Sequence, residues 1–291
     1  MKYLVTGAAG FIGSNLIKKL NDNGHTNIVC VDDISQNNLQ NIHGLEYADF
    51  ISKADFETLY HEEFDTIFHL GAISNTRASN WQDIYQNNIV FTKKLFDMIR
   101  HRNFVFASSA SVYGDSTNNQ ELAVNETPKN LYATSKLMCD NWLRHQGCQY
   151  QSWRFFNVYG KRETSKLDSN SASPYTTFKQ QAITKGKITL FEGSNKILRD
   201  FISVDDVVEV MYQKHKHSDS FVSNLGTGST ASFKDWAKII ADKYNATIDY
   251  VDFPKDLIKG YQYYTCSNNS NLNTIIDYKF KTIQEWFDQN D

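Results

Sequence analysis

The sequence predicts an α/β fold: a doubly wound parallel sheet followed by a smaller C-terminal α/β lobe. Three observations carry this expectation. Through the first half, short continuous apolar runs alternate with segments of helical spacing, the pattern of parallel strands covered by helices on both faces. A glycine-rich turn joins the first run to the first helix. The alternation then breaks after Gly160, where residues 161–173 are polar and aperiodic. At ~150 residues per domain, 291 residues suggest two units. Residues 1–160 are expected to form the first, with a returning segment near 200–225, and residues 161–291 mainly the second.

The elements follow in order. Tyr3–Thr6 is a strand and Phe11–Leu20 a helix, with Phe11, Ile12, Leu16, Ile17 and Leu20 at helical spacing. Asn27–Val31 and Thr66–Leu70 read as buried strands, Ile89–Arg100 as a helix, Phe104–Ala107 as a strand, Leu131–Arg144 as a helix and Gln151–Phe155 as a strand. Residues 174–185 form a helix entered through Pro174. Ser203–His217 and Phe233–Tyr244 are further helices, and Ile283–Phe287 is a last short one. Right-handed crossovers between such strands leave ligands at the carboxyl ends of the sheet.

Composition narrows the function. With 30 basic and 33 acidic residues the net charge is −3, which gives no basic face for nucleic acid. No run reaches the ~20 apolar residues needed to cross a bilayer, and the N-terminal apolar stretch, interrupted by Gly7–Gly13, is not a signal peptide. Cys30, Cys139, Cys148 and Cys266 are widely spaced and form no Cys-x-x-Cys pair, which fits a reduced, cytoplasmic protein without a zinc site. His215 and His217, two apart among lysines, are expected on a solvated face, and His61 and His69 have no Cys or His partner at ligand spacing, so no metal is expected.

Thr6-Gly7-Ala8-Ala9-Gly10-Phe11-Ile12-Gly13 lies between the first strand and the first helix. Gly7 permits a tight turn, Gly10 lets backbone approach a pyrophosphate and Gly13 allows close helix–sheet packing. The helix N-terminus offers unpaired N–H groups to phosphates. Asp32, ending the second strand, is placed to bind a ribose hydroxyl. This is the fingerprint of a Rossmann dinucleotide-binding unit. Tyr132 and Lys136, four apart on a helix, share one face. An ammonium beside a phenol, together with the positive nicotinamide ring of a bound dinucleotide, favours the phenolate, so such a tyrosine can take a proton from an alcohol. The pair alone also fits an ordinary surface contact. Ser108, Ser109 and Ser111 follow the strand Phe104–Ala107 and so sit at the carboxyl edge of the sheet, where serine hydroxyls also suit capping of the next segment.

The G-x-x-G-x-x-G spacing and the Ser109, Tyr132, Lys136 order resemble the extended short-chain dehydrogenase/reductase superfamily. Further segments agree: His69-Leu70-Gly71-Ala72, Asn88, Arg154-Phe155-Phe156-Asn157-Val158-Tyr159-Gly160, and Arg199-Asp200-Phe201 continuing to Val207. The resemblance implies that Ser109 orients a substrate hydroxyl and that Gly7, Gly10, Phe11, Ile12, Gly13, Asp32, Asp33, Leu70, Gly71, Ala72, Asn88, Tyr132, Lys136 and Val158 contact NAD(P). The second half, with Leu190-Phe191-Glu192-Gly193-Ser194, Asn224-Leu225-Gly226-Thr227-Gly228 and Lys259-Gly260-Tyr261-Gln262, resembles the ADP-glyceromanno-heptose 6-epimerases in particular. That resemblance implies a second acid/base at Lys166, substrate contacts at Asn157, Phe191, Glu192, Gly193, Ser194, Arg199 and Tyr261, and a homo-oligomeric enzyme acting on an ADP-heptose. Residues 167–179 receive no role. Asp32 alone favours NAD, because a carboxylate repels a 2′-phosphate; the resemblance implies NADP, aided by Lys53.

Three other readings are open at this level. They are a different nucleotide-sugar 4-epimerase or reductase, a dehydratase, and a cofactor-binding regulator without chemistry. Ser109-Ala110-Ser111, where the dehydratases carry Thr-Asp-Glu, argues against the second, and the presence of both Tyr132 and Lys136 against the third. Tyr263 and Tyr264 are expected to pack an edge strand against the core.

Overall fold

The computed structural model describes residues 1–36, 38–59, 63–98, 103–168, 171–217, 219–254 and 262–291. The strands are β1 (Tyr3–Thr6), β2 (Ile28–Val31), β3 (Asp49–Ile51), β4 (Thr66–His69), β5 (Asn103–Ser109), β6 (Tyr150–Phe155), β7 (Asn157–Tyr159), β8 (Lys187–Phe191), β9 (Leu198–Arg199), β10 (Phe201–Ser203), β11 (Phe221–Leu225), β12 (Ala231–Ser232), β13 (Thr247–Val251) and β14 (Tyr264–Thr265). The helices used below are α1 (Phe11–Asp22), α2 (Lys53–Leu59), α3 (Trp81–Ile84), α4 (Phe91–Asp97), α5 (Leu131–Leu143), α6 (Pro174–Lys185), α7 (Val204–Lys214) and α8 (Phe233–Tyr244). No helix among the described residues is long and apolar enough to cross a membrane.

Seven parallel strands form one sheet in the order β11-β6-β5-β4-β1-β2-β3. The order reverses between β1 and β4, where Thr6 lies opposite both Val31 and His69. A crevice at that switch point is where such sheets bind ligands. The four-residue strands β1, β2 and β4 are buried on both faces, so they read as unbroken apolar runs rather than alternating ones. One face packs against α1 and α7 through Leu16, Ile17, Leu20, Val207, Val210 and Met211. The other packs against α2, α4 and α5 through Phe56, Leu95, Phe96, Cys139 and Leu143. A second core, built on Trp236, Trp286, Tyr159, Tyr175 and Phe178, joins α6, α8 and β8 to the C-terminal helix Ile283–Asn290.

Several expectations need correction. Helical structure around Ile89 starts earlier, at Trp81, because the Asn80 side chain caps it by accepting from Gln82 N at 3.0 Å. It then passes through a π-helical turn, Tyr85–Val90, before α4, and the expected end at Arg100 lies outside the described residues. Ser203 is not the first helical residue but the cap, accepting from Asp206 N at 3.0 Å. His215 is not on a solvated face. It is 3% exposed, its Nδ1 bonds the Tyr212 carbonyl at 2.5 Å, and its Nε2 faces the Tyr3 hydroxyl at 3.3 Å. Helical spacing was broken there by the helix end at Lys214, which turns the histidine inward. Tyr263 and Tyr264 are exposed rather than packed, beside and on the two-residue edge strand β14. His61 lies outside the described residues.

Candidate active site

The glycine turn is shaped by what its neighbours leave no room for. Gly7 has φ +68°, a left-handed conformation that L side chains rarely adopt, and a Cβ there would lie 2.7 Å from Gly71 N. A Cβ on Gly13 would lie 2.0 Å from the Gly7 carbonyl oxygen, so only glycine lets α1 start this close to the turn. Gly10 caps α1 without any side-chain acceptor, which leaves the first-turn N–H groups directed at the crevice. Asp32 closes the turn from the β2 side, accepting from Ala9 N at 2.9 Å and Asp33 N at 2.8 Å. Burial raises its pKa against those hydrogen bonds. This cradle fits a dinucleotide pyrophosphate and its ribose. Gly13→Ala is expected to cost about 1–3 kcal/mol in stability and to weaken NAD(P) binding roughly tenfold or more by calorimetry. An unchanged Kd would remove the turn from the cofactor's path.

The far wall is made by β5 and α5. Asn130 caps α5, its side chain accepting from Ala133 N at 2.8 Å, so Tyr132 and Lys136 fall one helical turn apart. Ser109, the last residue of β5, caps the short turn Ala110–Tyr113 and accepts from Ser111 N at 3.2 Å and Ser111 Oγ at 2.8 Å. Beneath them, Asp140 of α5 is wholly buried and accepts from Ser108 Oγ (3.0 Å), Ser152 Oγ (2.6 Å) and Arg154 Nε (2.8 Å). Arg154 also reaches Glu126 at 2.5 Å and the Tyr113 hydroxyl at 3.0 Å. The helix bearing Tyr132 and the strand bearing Ser109 are therefore clamped together.

Lys136 is 2% exposed, with Nζ 4.5 Å from the centre of the Phe106 ring and 5.9 Å from that of Tyr132. Burial lowers its pKa to about 8. The Tyr132 phenol beside it lies above its usual range. Burial raises the phenol, and the opposing contribution comes from a hydrogen bond with Ser109.

Ser109, Tyr132 and Lys136 line one cleft of about 740 Å³ together with Gly7, Gly10, Phe11, Ile12, Gly13 and Asp32 of the turn. Leu70, Gly71, Ala72, Asn157, Val158 and Lys166 line it too. Asp33 and Lys53 line an adjoining cavity of about 200 Å³ that shares Gly7, Asp32, Gly71 and Ala72. There Lys53 Nζ donates to Asn87 Oδ1 and sits 4.7 Å over the Phe91 ring.

Asn88 is set apart from both cavities. Its carboxamide accepts from Ile73 N (2.9 Å) and donates to Ile73 O (3.1 Å) and Ser135 Oγ (3.0 Å), tying the loop after β4 to α5. His69 is a bolt rather than a ligand: its ring spans Thr6 Oγ1 (2.6 Å) and Thr92 Oγ1 (2.8 Å), and burial keeps its pKa well down. No group of three or more potential metal ligands occurs among the described residues.

Asn157 lines this cleft, but Phe191, Glu192, Gly193, Ser194 and Arg199 do not. Phe191 ends β8 and touches Phe253, Glu192 N donates to Val251 O at 2.8 Å, and Gly193 and Ser194 turn into a short 3-10 segment. Arg199 is 7% exposed and donates to Leu198 O at 3.0 Å and to Gln262 O. Tyr261 lies outside the described residues. A larger cavity, about 1000 Å³ between Thr227–Ala231, α8 and residues 278–284, is lined by none of the expected site residues among the described residues.

Several lining residues received no role in the sequence reading, Ser35, Ser74, Phe233 and Glu163 among them. Glu163 faces the cleft beside Lys166, with 2% of its surface exposed. The i, i+3 spacing of Glu163 and Lys166 was its only available signal.

Residues 3–226 match the NAD dependent epimerase/dehydratase family. The chain belongs to that family. Within it, the chain is 35% identical to an ADP-L-glycero-D-manno-heptose-6-epimerase of Alkalilimnicola ehrlichii, over 92% of this chain and 89% of the relative. It is similar to the crystal structure of the Helicobacter pylori ADP-L-glycero-D-manno-heptose-6-epimerase, with a TM-score of 0.86, 28% identity and coverage of 98% and 92% of the two chains. It is also similar to a Bacillus cereus UDP-glucuronic acid 4-epimerase solved with UDP-glucuronic acid and NAD, with a TM-score of 0.79, 25% identity and coverage of 98% and 96%. Family membership accounts for the Rossmann sheet, the glycine cradle and an NAD(P) requirement.

Proposed function

We propose that this chain is a nucleotide-sugar epimerase that converts ADP-D-glycero-D-manno-heptose to ADP-L-glycero-D-manno-heptose. The observation that supports this reading most is the pairing of Tyr132, on α5, with Lys166, on a separate loop, along one cleft that also holds Ser109 and the glycine turn. Inverting a carbon through a ketone calls for proton transfer at either face, so two groups on separate elements suit it. The names of the relatives at 35% and 28% identity supply the substrate.

When bound, NAD(P) supplies the hydride acceptor and donor. Ser109 orients the substrate oxygen. Tyr132 or Lys166 takes the hydroxyl proton as the carbon becomes a ketone, and the other group protonates the oxygen after the ketone presents its second face. Lys136 supports the charge of Tyr132 once the site is filled and contacts the nicotinamide ribose. Asp32 and the turn hold the adenosine half and Asn157 contacts the sugar in the cleft; the family resemblance, not the cleft lining, assigns Phe191–Ser194, Arg199 and Tyr261 to the nucleotide sugar. The reading includes NADP rather than NAD, with Lys53 as the cation facing a 2′-phosphate beside Asp32 and Asp33. It also includes a homo-oligomeric, cytoplasmic enzyme.

Incubating the purified protein with ADP-D-glycero-D-manno-heptose and no added cofactor is expected to yield both epimers. Turnover of UDP-hexoses alone would favour a 4-epimerase, and cofactor binding without turnover of any sugar a regulator. Mass spectrometry of the nucleotide released on denaturation is expected to find NADP, and Lys53→Ala is expected to lower the NADP fraction. Release of NAD alone would overturn that choice.

A further inference from the structure

The polar loop after Gly160 is built around Glu163. Its carboxylate accepts from Ser173 N (3.0 Å), Ser173 Oγ (2.5 Å) and Thr176 Oγ1 (2.7 Å), which pins the loop to the first turn of α6. Glu163 begins the 3-10 turn Thr164–Lys166, and in that geometry side chains at i and i+3 eclipse. Lys166 accordingly lies along the same edge, with Nζ 3.9 Å from Glu163 Oε1 and 4.8 Å over the Phe11 ring of α1. Lys166 retains 35% of its side-chain surface, whereas Glu163 retains 1%. The flexible cation is thus held between a fixed buried anion and an aromatic face.

We propose that Glu163 is a positioning residue for Lys166, whose ammonium its carboxylate fixes on the cleft wall, ready to donate a proton. This rests on the acid/base role given to Lys166 above. α1 faces the lysine with the uncharged Phe11 ring, α6 faces the carboxylate with the hydroxyls of Ser173 and Thr176, and Glu163 is a buried charge acting on Lys166. Burial lowers the lysine's pKa and Glu163 raises it, and removing the carboxylate therefore moves the lysine toward its neutral form.

Glu163→Gln keeps the shape of the side chain and removes its charge. Competitive acetylation with acetic anhydride between about pH 7 and 11, read by peptide mass spectrometry, is expected to lower the Lys166 titration midpoint by about one unit. The turnover of ADP-D-glycero-D-manno-heptose is expected to fall roughly tenfold with KM changed less than about threefold. Glu163→Asp, which keeps the charge, should hold the midpoint near that of the native protein even if turnover drops. A midpoint that does not move in Glu163→Gln, or that moves equally in Glu163→Asp, overturns the proposal. Lys166→Met is measured alongside. Full turnover in that variant would sink the role of Lys166, and with it the positioning role of Glu163. A dead Lys166→Met with an unchanged Glu163→Gln midpoint and turnover would sink Glu163 alone.

Discussion

Replacing Tyr132 with phenylalanine is expected to lower kcat at least ~100-fold while leaving the fold intact. The ring stays, so α5 keeps its packing, and the lost atom is the phenolic oxygen facing Ser109 in the cleft. Burial, joined by the charge of Asp140, raises that phenol above its ordinary range. In the proposed mechanism the charge of Lys136 and the bound NAD(P) favour its phenolate, and removing the oxygen removes that acid/base group. KM should change little, since the hydroxyl acts chiefly on the reacting group. The comparison is kcat for epimer interconversion with a circular dichroism melt on the same preparations. Turnover within about threefold of the native value would dispose of the phenol as an acid/base group.

The largest stability effect is expected at Asp140. Changing it to alanine strips acceptors from Ser108, Ser152 and Arg154 at once, all of them buried. Glu126 still neutralises Arg154 at its other end, but the Nε edge is left without a partner in a dry layer. Breaking a buried pair from one side typically costs about 3–5 kcal/mol, a large share of the roughly 5–15 kcal/mol that holds such a protein folded. Urea unfolding should show this as a lower midpoint at unchanged slope. Asp140→Asn keeps the shape and one acceptor oxygen and should cost less. A loss below about 1 kcal/mol in the alanine variant would show that the clamp beneath Ser109 contributes no more than a surface pair.

Most of the first half of the fold was legible because its central strands are buried on both faces and α1 and α5 are long, whereas the exposed edge strand β3 and the short helix α2 went unread. Tyr3–Thr6 and Thr66–His69 appear as plain apolar runs, and Leu16, Ile17 and Leu20 as a helical stripe. The site residues near the glycine turn and on α5 were legible too, because sequence-local spacing places them: seven residues for the turn and one helical turn for Tyr132 and Lys136. The second half resisted for the opposite reason. Its strands are two to five residues long and its register depends on partners far away, as when β14 joins β9. Asp200 shows the same limit. It gathers Thr227, Gly228 and Ser267 around one buried carboxylate, a knot of three distant segments that no local pattern announces. Glu163 went unnoticed because its partners, Ser173 and Thr176, lie beyond a stretch with no periodic signal.

Asn41 joins the two walls by different means. Its side chain, 2% exposed, donates to the Ala9 carbonyl of the glycine turn at 3.0 Å, while its main-chain carbonyl receives the guanidinium of Arg162, a non-glycine residue at φ +65° beside Glu163. The first clasp depends on which amino acid occupies position 41, but the second does not, since every amino acid carries that carbonyl. Half of this joint is therefore indifferent to side-chain substitution at Asn41, and tallying which residues vary would reveal only the other half.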